Sequence, residues 1–104
     1  MEEAYHKYVD RQGKHHNPFF QAGSPSLKKA MLKNHSQFPS KRFTVKNVLG
    51  DGAFVVAHSH MVPSPEEKGL EAVILFRFQG IKIIEMWDSF QPMPTDSLNR
   101  DGIF

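Results

Sequence analysis

Two histidines and one aspartate have the residue types and spacing that suit acid–base or metal chemistry. His58 and His60 are separated by one residue in an apolar segment, and Asp88 follows the sequence Ile-Glu-Met-Trp. Residues two apart in a strand point to the same side, so the two imidazoles are expected about 7 Å apart on one face. A carboxylate on an apolar face needs a dedicated partner or a raised pKa. A carboxyl group whose pKa is raised can act as an acid or base near neutrality.

Each of these side chains also has a simpler interpretation. Asp88 near a strand end can bond to backbone amides or to solvent. The histidines can be metal ligands, polar groups in a ligand pocket, or one core residue and one solvent-facing residue. His58-x-His60 followed by Glu66 resembles the first cupin motif, but the glutamate comes late and no second motif follows. Metal binding is therefore a weak second choice for these histidines.

Strands are predicted for the second half of the chain, because the hydrophobic period changes to two from Arg42 onward. Gly50-Asp51-Gly52 is typical of a hairpin turn, and further strands are predicted over 53–62, 71–79 and 82–91. In each of the predicted strands 53–62 and 82–91, alternation places one set of residues on the same face of that strand. These sets are Phe54, Val56, His58, His60 and Val62, and Lys82, Ile84, Met86, Asp88 and Phe90.

The first part of the chain predicts two helices. Residues 2–10 have apolar side chains at helical spacing, and Gly13 is expected to end that helix. Ser24-Pro25 is a helix start signal, with a capping hydroxyl before proline at the first helical position. Pro39 is expected to end the second helix. Two helices followed by four antiparallel strands predict a single α+β domain over residues 1–104.

Composition limits the partners. Nine Phe against two Tyr and one Trp favour a pocket wall for an apolar ligand. No cysteine is present, which excludes disulfides and thiolate catalysis and favours a cytoplasmic setting. No signal peptide or membrane span is predicted. A net charge of +2 and the basic stretch over 28–46 are typical of a solvated face, so no nucleic-acid partner is predicted.

The chain resembles SnoaL-like proteins of the nuclear transport factor 2-like superfamily. The resemblance runs in order along nearly the whole chain. It is carried by His16-Asn17-Pro18, Ser26-Leu27 through Met31, Gly52 through Val55, His58-Ser59-His60, Phe76-Arg77-Phe78, Ile84-Glu85-Met86-Trp87-Asp88, Gln91-Pro92, and Asp96-Ser97 to Gly102-Ile103-Phe104. It implies a cone-shaped, strongly bent antiparallel sheet around helices, with an apolar cavity at one end. Family members begin with a further helix before the segment that starts here at Glu2, so we expect one side of the cone to be less covered.

The resemblance also implies a function. Polyketide cyclases of this family close rings by aldol condensation without metal or organic cofactor, using an aspartate whose context matches Asp88, so the resemblance implies a site without either. Asp88, His58 and His60 are then the predicted catalytic residues. The predicted ligand-binding residues are His16, Asn17, Phe54, Val56, Phe76, Ile84, Met86 and Phe90. The outer face of the sheet, with Ile83, Trp87 and Gln91, is expected to form a homodimer. The alternative is a non-catalytic ligand-binding or dimerisation protein on the same fold.

Overall fold

A computed structural model of the chain describes residues 2–94, 98–102 and 104. Within these residues two helices pack against a five-stranded sheet. The elements are α1 (Glu2–Tyr8), β1 (Val9–His15), α2 (Ser24–Gln37), β2 (Arg42–Asp51), β3 (Phe54–Val62), β4 (Leu70–Gln79) and β5 (Lys82–Pro92). Three residues of the family resemblance, Asp96, Ser97 and Ile103, lie outside the described residues.

The sheet has the strand order β1-β5-β4-β3-β2. The four predicted strands pair antiparallel in sequence order, β2 with β3, β3 with β4 and β4 with β5. The predicted α+β fold is therefore confirmed, with one addition. A fifth strand, β1, pairs parallel with β5 and makes the sheet mixed.

The added strand replaces the predicted end of the first helix at Gly13. This glycine is buried in β1, and a Cβ atom there would lie only 3.0 Å from the Asp10 carbonyl oxygen and 3.3 Å from that of Ile84. The register between β1 and β5 shifts between Val9 and Lys14, so the strand is irregular at this point. Gly13 thus permits close approach of two backbones rather than ending a helix.

A β-bulge in β5 changes which isoleucine faces the helices. Met86 lies opposite Phe76 and Ile83 lies opposite Phe78, which leaves Ile84 as the extra residue. Directly paired residues share a face, so Ile83 and Met86 point to the same side. Strict alternation had placed Ile84 with Met86 and Ile83 on the other face. Both assignments are wrong, because the extra residue reverses the alternation.

The two faces of the sheet can be followed through the register. We call the side that carries Met86 and the helices the inner face. Asp88 lies opposite Ile74, and Ile74 lies opposite Ala57, so these three residues share the inner face. His58 follows Ala57 directly and therefore points to the outer face.

The helices cover only one end of this inner face. They contact β1 and β5, and Leu27 of α2 is buried there. Every residue of β2, at the opposite edge, is exposed. Ser24 begins α2, but Gly23 occupies the capping position and the Ser24 hydroxyl donates to the Asp10 carbonyl, which ties the helix start to β1. No helix within 2–94, 98–102 and 104 is long and apolar enough to span a bilayer.

Candidate functional site

A cavity lies between the two helices and the inner face of β1, β4 and β5. Its volume is about 300 Å³, at the lower end of the range for small-molecule sites. The surface that lines it is almost entirely apolar. The residues that contribute to it are Ala4, Tyr5, Tyr8, Val9, Gly13, Lys14, His15, Ser24, Leu27, Met31, Phe76, Ile83 and Met86. Phe76 and Met86 were predicted to line the cavity, and the structure places both there.

Asp88 lies one pleat beyond Met86 along β5, on the same inner face. It is half-buried, and its Oδ2 accepts a hydrogen bond from Asn17 Nδ2 at 3.1 Å. Asn17, in the segment after β1, is itself only 9% exposed. The carboxylate is thus next to the cavity wall rather than part of it, and Asn17 is its dedicated polar partner, as a carboxylate on an apolar face requires.

The orientation of the Asn17 amide is fixed by a second contact. Its Oδ1 accepts from the backbone N–H of Phe19 at 2.9 Å, so the Nδ2 group must be the one directed at Asp88. An amide nitrogen carries two N–H donors, and the contact with Asp88 uses one of them. The second N–H is a candidate donor to a ligand oxygen.

His15 is the histidine that lines the cavity. It lies opposite Met86 in the register, and it is 8% exposed. Its Nδ1 accepts from the backbone N–H of Asn17 at 3.2 Å, and its Nε2 lies 2.5 Å from the Gln21 carbonyl oxygen. These partners require the neutral tautomer with the proton on Nε2. His15 therefore positions Asn17, and both of its ring nitrogens are occupied.

His15 was missed as a site residue, although its neighbour His16 was predicted to bind ligand. Adjacent residues in a strand point to opposite faces, so only one of the two can reach the cavity. The parallel pairing of β1 with β5 selects His15. That pairing was not visible in the sequence, because the segment over 9–15 has neither a helical nor a clear strand period.

His16 lies on the outer face and belongs to an ion-pair cluster there. Its ring stacks on Trp87 with centroids 4.9 Å apart, and its Nε2 lies 2.7 Å from Glu85 Oε2. Arg77 binds the other oxygen of the same carboxylate through Nε at 3.0 Å and Nη2 at 2.6 Å. The hydrogen bonds from His16 and Arg77 lower the pKa of Glu85 below its ordinary value of 4.5.

This cluster predicts an acid-dependent stability. A carboxyl group whose pKa is depressed on folding stabilises the protein above its unfolded pKa, and that contribution is lost as the pH falls through the folded pKa. We therefore expect Glu85→Gln to destabilise the protein at pH 6 and to converge with wild type as the pH falls below about 4.5. Urea unfolding at a series of pH values measures the difference, with Glu67→Gln as an exposed control. A difference that does not change with pH would contradict this assignment.

His58 and His60 also lie on the outer face, away from Asp88. His58 Nε2 is 2.6 Å from Glu71 Oε2, and its Nδ1 is 3.2 Å from Asn47 Nδ2. His60 Nε2 donates to the Lys68 carbonyl oxygen at 2.7 Å. The prediction that these histidines share a catalytic site with Asp88 is therefore wrong. They share a face with each other, as the spacing predicted, but β3 presents that face outward.

The same reversal applies to the other predicted residues of β3. Phe54 pairs with Arg77 and Val56 pairs with Leu75, so both are on the outer face, where the Phe54 ring lies 6.4 Å from that of Trp87. Phe90 is on the inner face opposite Ala72, but it is exposed at the far end of β5. In the described part of the chain no group of three His, Cys, Asp or Glu side chains is arranged to hold a metal ion.

Tyr5 adds a polar group that the sequence did not indicate. It lines the cavity, and its hydroxyl donates to the Ser24 carbonyl oxygen at 3.3 Å. Burial raises the pKa of the Tyr5 phenol, so the group remains a neutral donor in the physiological range. Tyr5 lies on α1, a segment that was predicted to be helical, and its hydrogen bond joins that helix to the start of α2.

Comparison with solved structures shows the fold. A SnoaL-like polyketide cyclase from Agrobacterium tumefaciens superposes with a TM-score of 0.69 at 18% identity, covering 86% of this chain and 77% of that one. A SnoaL-like protein of unknown function from Burkholderia thailandensis gives a TM-score of 0.72 at 13% identity, covering 86% and 79%. No protein-family model matches the sequence, and no curated protein is significantly similar to it. The chain therefore has the fold of SnoaL-like proteins.

Proposed function

We propose that this chain, whose fold is that of SnoaL-like proteins, is a cofactor-independent acid–base enzyme of that family. Its substrate is an apolar carbonyl compound that binds in the cavity beside Asp88. The chemistry is aldol cyclisation or a related isomerisation. The observation that carries the proposal is the Asp88–Asn17 contact of 3.1 Å, which gives a base and a hydrogen-bond donor side by side. The two residues adjoin Met86 and His15, which line the apolar cavity.

The proposed reaction begins with proton abstraction. The Asp88 carboxylate removes a proton from the carbon next to the substrate carbonyl, and the C–H electron pair becomes the enolate. The second N–H of Asn17 donates to the enolate oxygen, where negative charge develops. In a cyclisation the enolate carbon attacks a second carbonyl, and the new alkoxide takes the proton back from Asp88. The carboxylate is regenerated, and the reaction consumes no oxidant or reductant.

The surroundings favour this chemistry in two ways. The apolar wall provided by Leu27, Phe76 and Met86 binds a hydrophobic substrate and excludes water, which strengthens electrostatic interactions in the site. His15 holds the Asn17 backbone, and Phe19 holds the Asn17 amide, so the donor is positioned before substrate binds. Such fixed dipoles stabilise developing charge without reorganisation.

The experiment that tests the proposal needs no knowledge of the natural substrate. Bicyclic monoketones such as 2-tetralone are of a size to enter the cavity, and their α-protons exchange slowly with solvent. The protein in deuterium oxide is expected to catalyse deuterium uptake at the α-carbon, measured by proton NMR. Ketones that bind without any catalysed exchange would contradict the enzymatic proposal.

The alternative, a non-catalytic ligand-binding protein, is supported by one specific observation. Most residues that line the cavity are apolar, and the polar groups of Tyr5, His15 and Ser24 are already hydrogen-bonded. Asp88 lies beyond them with its own partner. This arrangement suits retention of a hydrophobic ligand. Saturable binding of bicyclic ketones, unaffected by Asp88→Asn and without exchange, is the result this alternative predicts.

A homodimer through the outer face of the sheet is also proposed. Val73 and Phe54 are exposed there beside the half-buried Trp87, and an apolar patch of this kind favours association. Ile83, predicted for this interface, faces the cavity instead. The absence of cysteine supports a cytoplasmic setting for the assembly.

The outer-face interface predicts a charge-sensitive association. We expect Val73→Asp to weaken the dimer at least about tenfold, because it places a charge in the centre of an apolar contact. Sedimentation velocity over a concentration series measures the change. Ile81→Asp, an equally polar change at an exposed turn away from this face, is the control. Equal sedimentation of both variants and wild type would exclude this interface.

A further inference from the structure

The edge of β2 that points away from β3 is separate from the outer face of the sheet. Among the described strands β2 pairs only with β3, and its other edge presents ten residues of unpaired backbone. We propose that a second copy of this chain pairs antiparallel along that edge, with Arg42 of each copy opposite Asp51 of the other. The two sheets then continue into one another about a twofold axis between Lys46 and Asn47.

The bulge in β2 makes this register possible. Val45 lies opposite Ser59 and Asn47 lies opposite His58, so Lys46 is an extra residue. Val45 and Val48 consequently share the inner face, although they are three residues apart. In a regular strand, residues an odd number of positions apart point to opposite faces. A register that places Arg42 of one copy opposite Asp51 of the other would then put the two side chains on different faces. The bulge on the twofold axis removes that conflict.

The facing side chains in this register match in both charge and face. Arg42 and Asp51 share the outer face, since they lie opposite Val62 and Phe54 of β3. Two Arg42–Asp51 pairs therefore form, one at each end of the interface. Opposite charges directly across strands are stabilising, whereas like charges are destabilising. The strand has its basic residue at the beginning and its acidic residue at the end, as antiparallel self-pairing requires.

Four apolar side chains lie between these charges, those of Phe43, Val45, Val48 and Leu49, and Lys46 lies opposite Asn47 at the axis. Val45 of each copy lies opposite Val48 of the other, so two such pairs form. These side chains are 53% and 60% exposed in the single chain. Thr44 lies opposite Leu49, and Phe43 lies opposite Gly50, where the absent side chain leaves room for the aromatic ring. The pairing thus buries the β-branched and aromatic side chains that the helices leave uncovered.

Lys46 is the residue that would oppose this pairing, since an edge lysine commonly blocks strand addition. Its ammonium group lies over the Phe104 ring, 5.6 Å from the centroid. That ring also contacts His58 and His60 at 5.4 and 4.9 Å, which places it on the outer face. Lys46 is therefore directed over the outer face rather than along the edge.

The test uses complementary charge reversals at the two ends of the strand. Arg42→Asp and Asp51→Arg each create two like-charge pairs in a homodimer, and each is expected to weaken edge association about tenfold or more. A mixture of the two variants restores both opposite-charge pairs in the heterodimer. Native mass spectrometry separates the species by mass, and Val73→Asp in both chains weakens any outer-face association.

The expected result is a mixture in which the heterodimer exceeds both homodimers. The parent protein carries Val73→Asp alone. Lys33→Glu in that background, a charge reversal at an exposed position of α2, is expected to associate like the parent protein. Statistical mixing of the two variants, or the absence of any dimer in the parent protein, would overturn the proposal. A heterologous protein bound at this edge, with no self-association, would overturn it as well.

A cysteine crosslink tests the register independently, because the chain contains no cysteine. Directly opposite strand residues have Cβ atoms about 4.5–5.5 Å apart, close to the separation that disulfides accept. A mixture of Val45→Cys and Val48→Cys is expected to form a disulfide-linked heterodimer on mild oxidation. Each variant alone is expected to remain uncrosslinked, since its cysteine lies opposite valine. Equal crosslinking of the single variants would exclude this register.

Discussion

Asp88→Asn is expected to lower the rate of ketone deuterium exchange by about 10²- to 10⁴-fold, the range for removal of a general base. Asparagine has nearly the same shape as aspartate, and its Oδ1 can still accept from Asn17 Nδ2. The variant therefore loses the base while keeping the hydrogen bond seen at 3.1 Å. Ketone binding is expected to change little, since the apolar wall is intact. Exchange rates from proton NMR and affinities from ligand titration separate these two effects.

The matched control is Asp101→Asn, the same chemical change at an exposed position near the end of the chain. It is expected to leave the exchange rate unchanged. Asn17→Ala provides a second variant, which removes the donor but keeps the carboxylate. We expect it to slow exchange by about 10²-fold, as observed for loss of one donor to a developing oxyanion. Full activity in Asp88→Asn would show that exchange takes place elsewhere on the protein.

Gly69→Ala is expected to have the largest effect on stability, about 2–5 kcal/mol of unfolding free energy. Gly69 has a φ of 81° at the end of the loop before β4, a conformation that alanine rarely adopts. A Cβ atom there would also overlap the Met61 carbonyl oxygen, which belongs to β3. Both backbones are held in place, because the Gly69 carbonyl accepts a hydrogen bond from the Met93 N–H and Met61 pairs with Leu70 in the sheet. The alanine must therefore displace a strand.

Gly80→Ala distinguishes backbone strain from overlap with Met61 as the cause of the lost unfolding free energy. Gly80 has a similar φ of 62°, but a Cβ atom there meets only open space. We expect it to cost about 1 kcal/mol from backbone strain alone. Urea denaturation of both variants, followed by circular dichroism, measures the difference. Equal destabilisation would show that the close approach of Gly69 to Met61 does not exist in solution.

The strands were predictable because period-two alternation and turn residues are local signals. Gly50-Asp51-Gly52 and the apolar runs around Val56, Leu75 and Met86 were sufficient to place β2 through β5 close to their observed bounds. Asp88 was indicated by alternation and Asn17 by the family resemblance, and the structure brings the two together. Alternation alone indicated that Asp88 shares a face with Met86, which is correct because no bulge separates them.

The assignment of faces was not predictable from alternation. A single extra residue reverses every side chain beyond it, and neither bulge, at Ile84 or at Lys46, has a glycine or other signal in the sequence. Which face of β3 is inward depends on its pairing with β4. That pairing places Ser59 and Ala72, two small residues, at the buried position and directs His58 outward.

The strand β1 was not predictable because its stability comes from a distant partner. Residues 9–15 include Asp10, Gln12 and Gly13, which favour neither a helix nor an amphipathic strand. Its hydrogen bonds are made with β5, about seventy residues further on in the chain. The position of His15 at the cavity depends on this pairing. A long-range contact of this kind leaves no periodic signal in a single sequence.

The central claim is that an apolar carbonyl compound binds beside Asp88 and Asn17. The most direct measurement is an NMR titration with 2-tetralone that follows the methionine methyl groups and the side-chain amide of Asn17. The account predicts saturable shifts for Met31 and Met86, which line the cavity, and for the Asn17 amide. Shifts confined to outer-face residues such as Trp87, with Met86 and Asn17 unchanged at saturation, would contradict it.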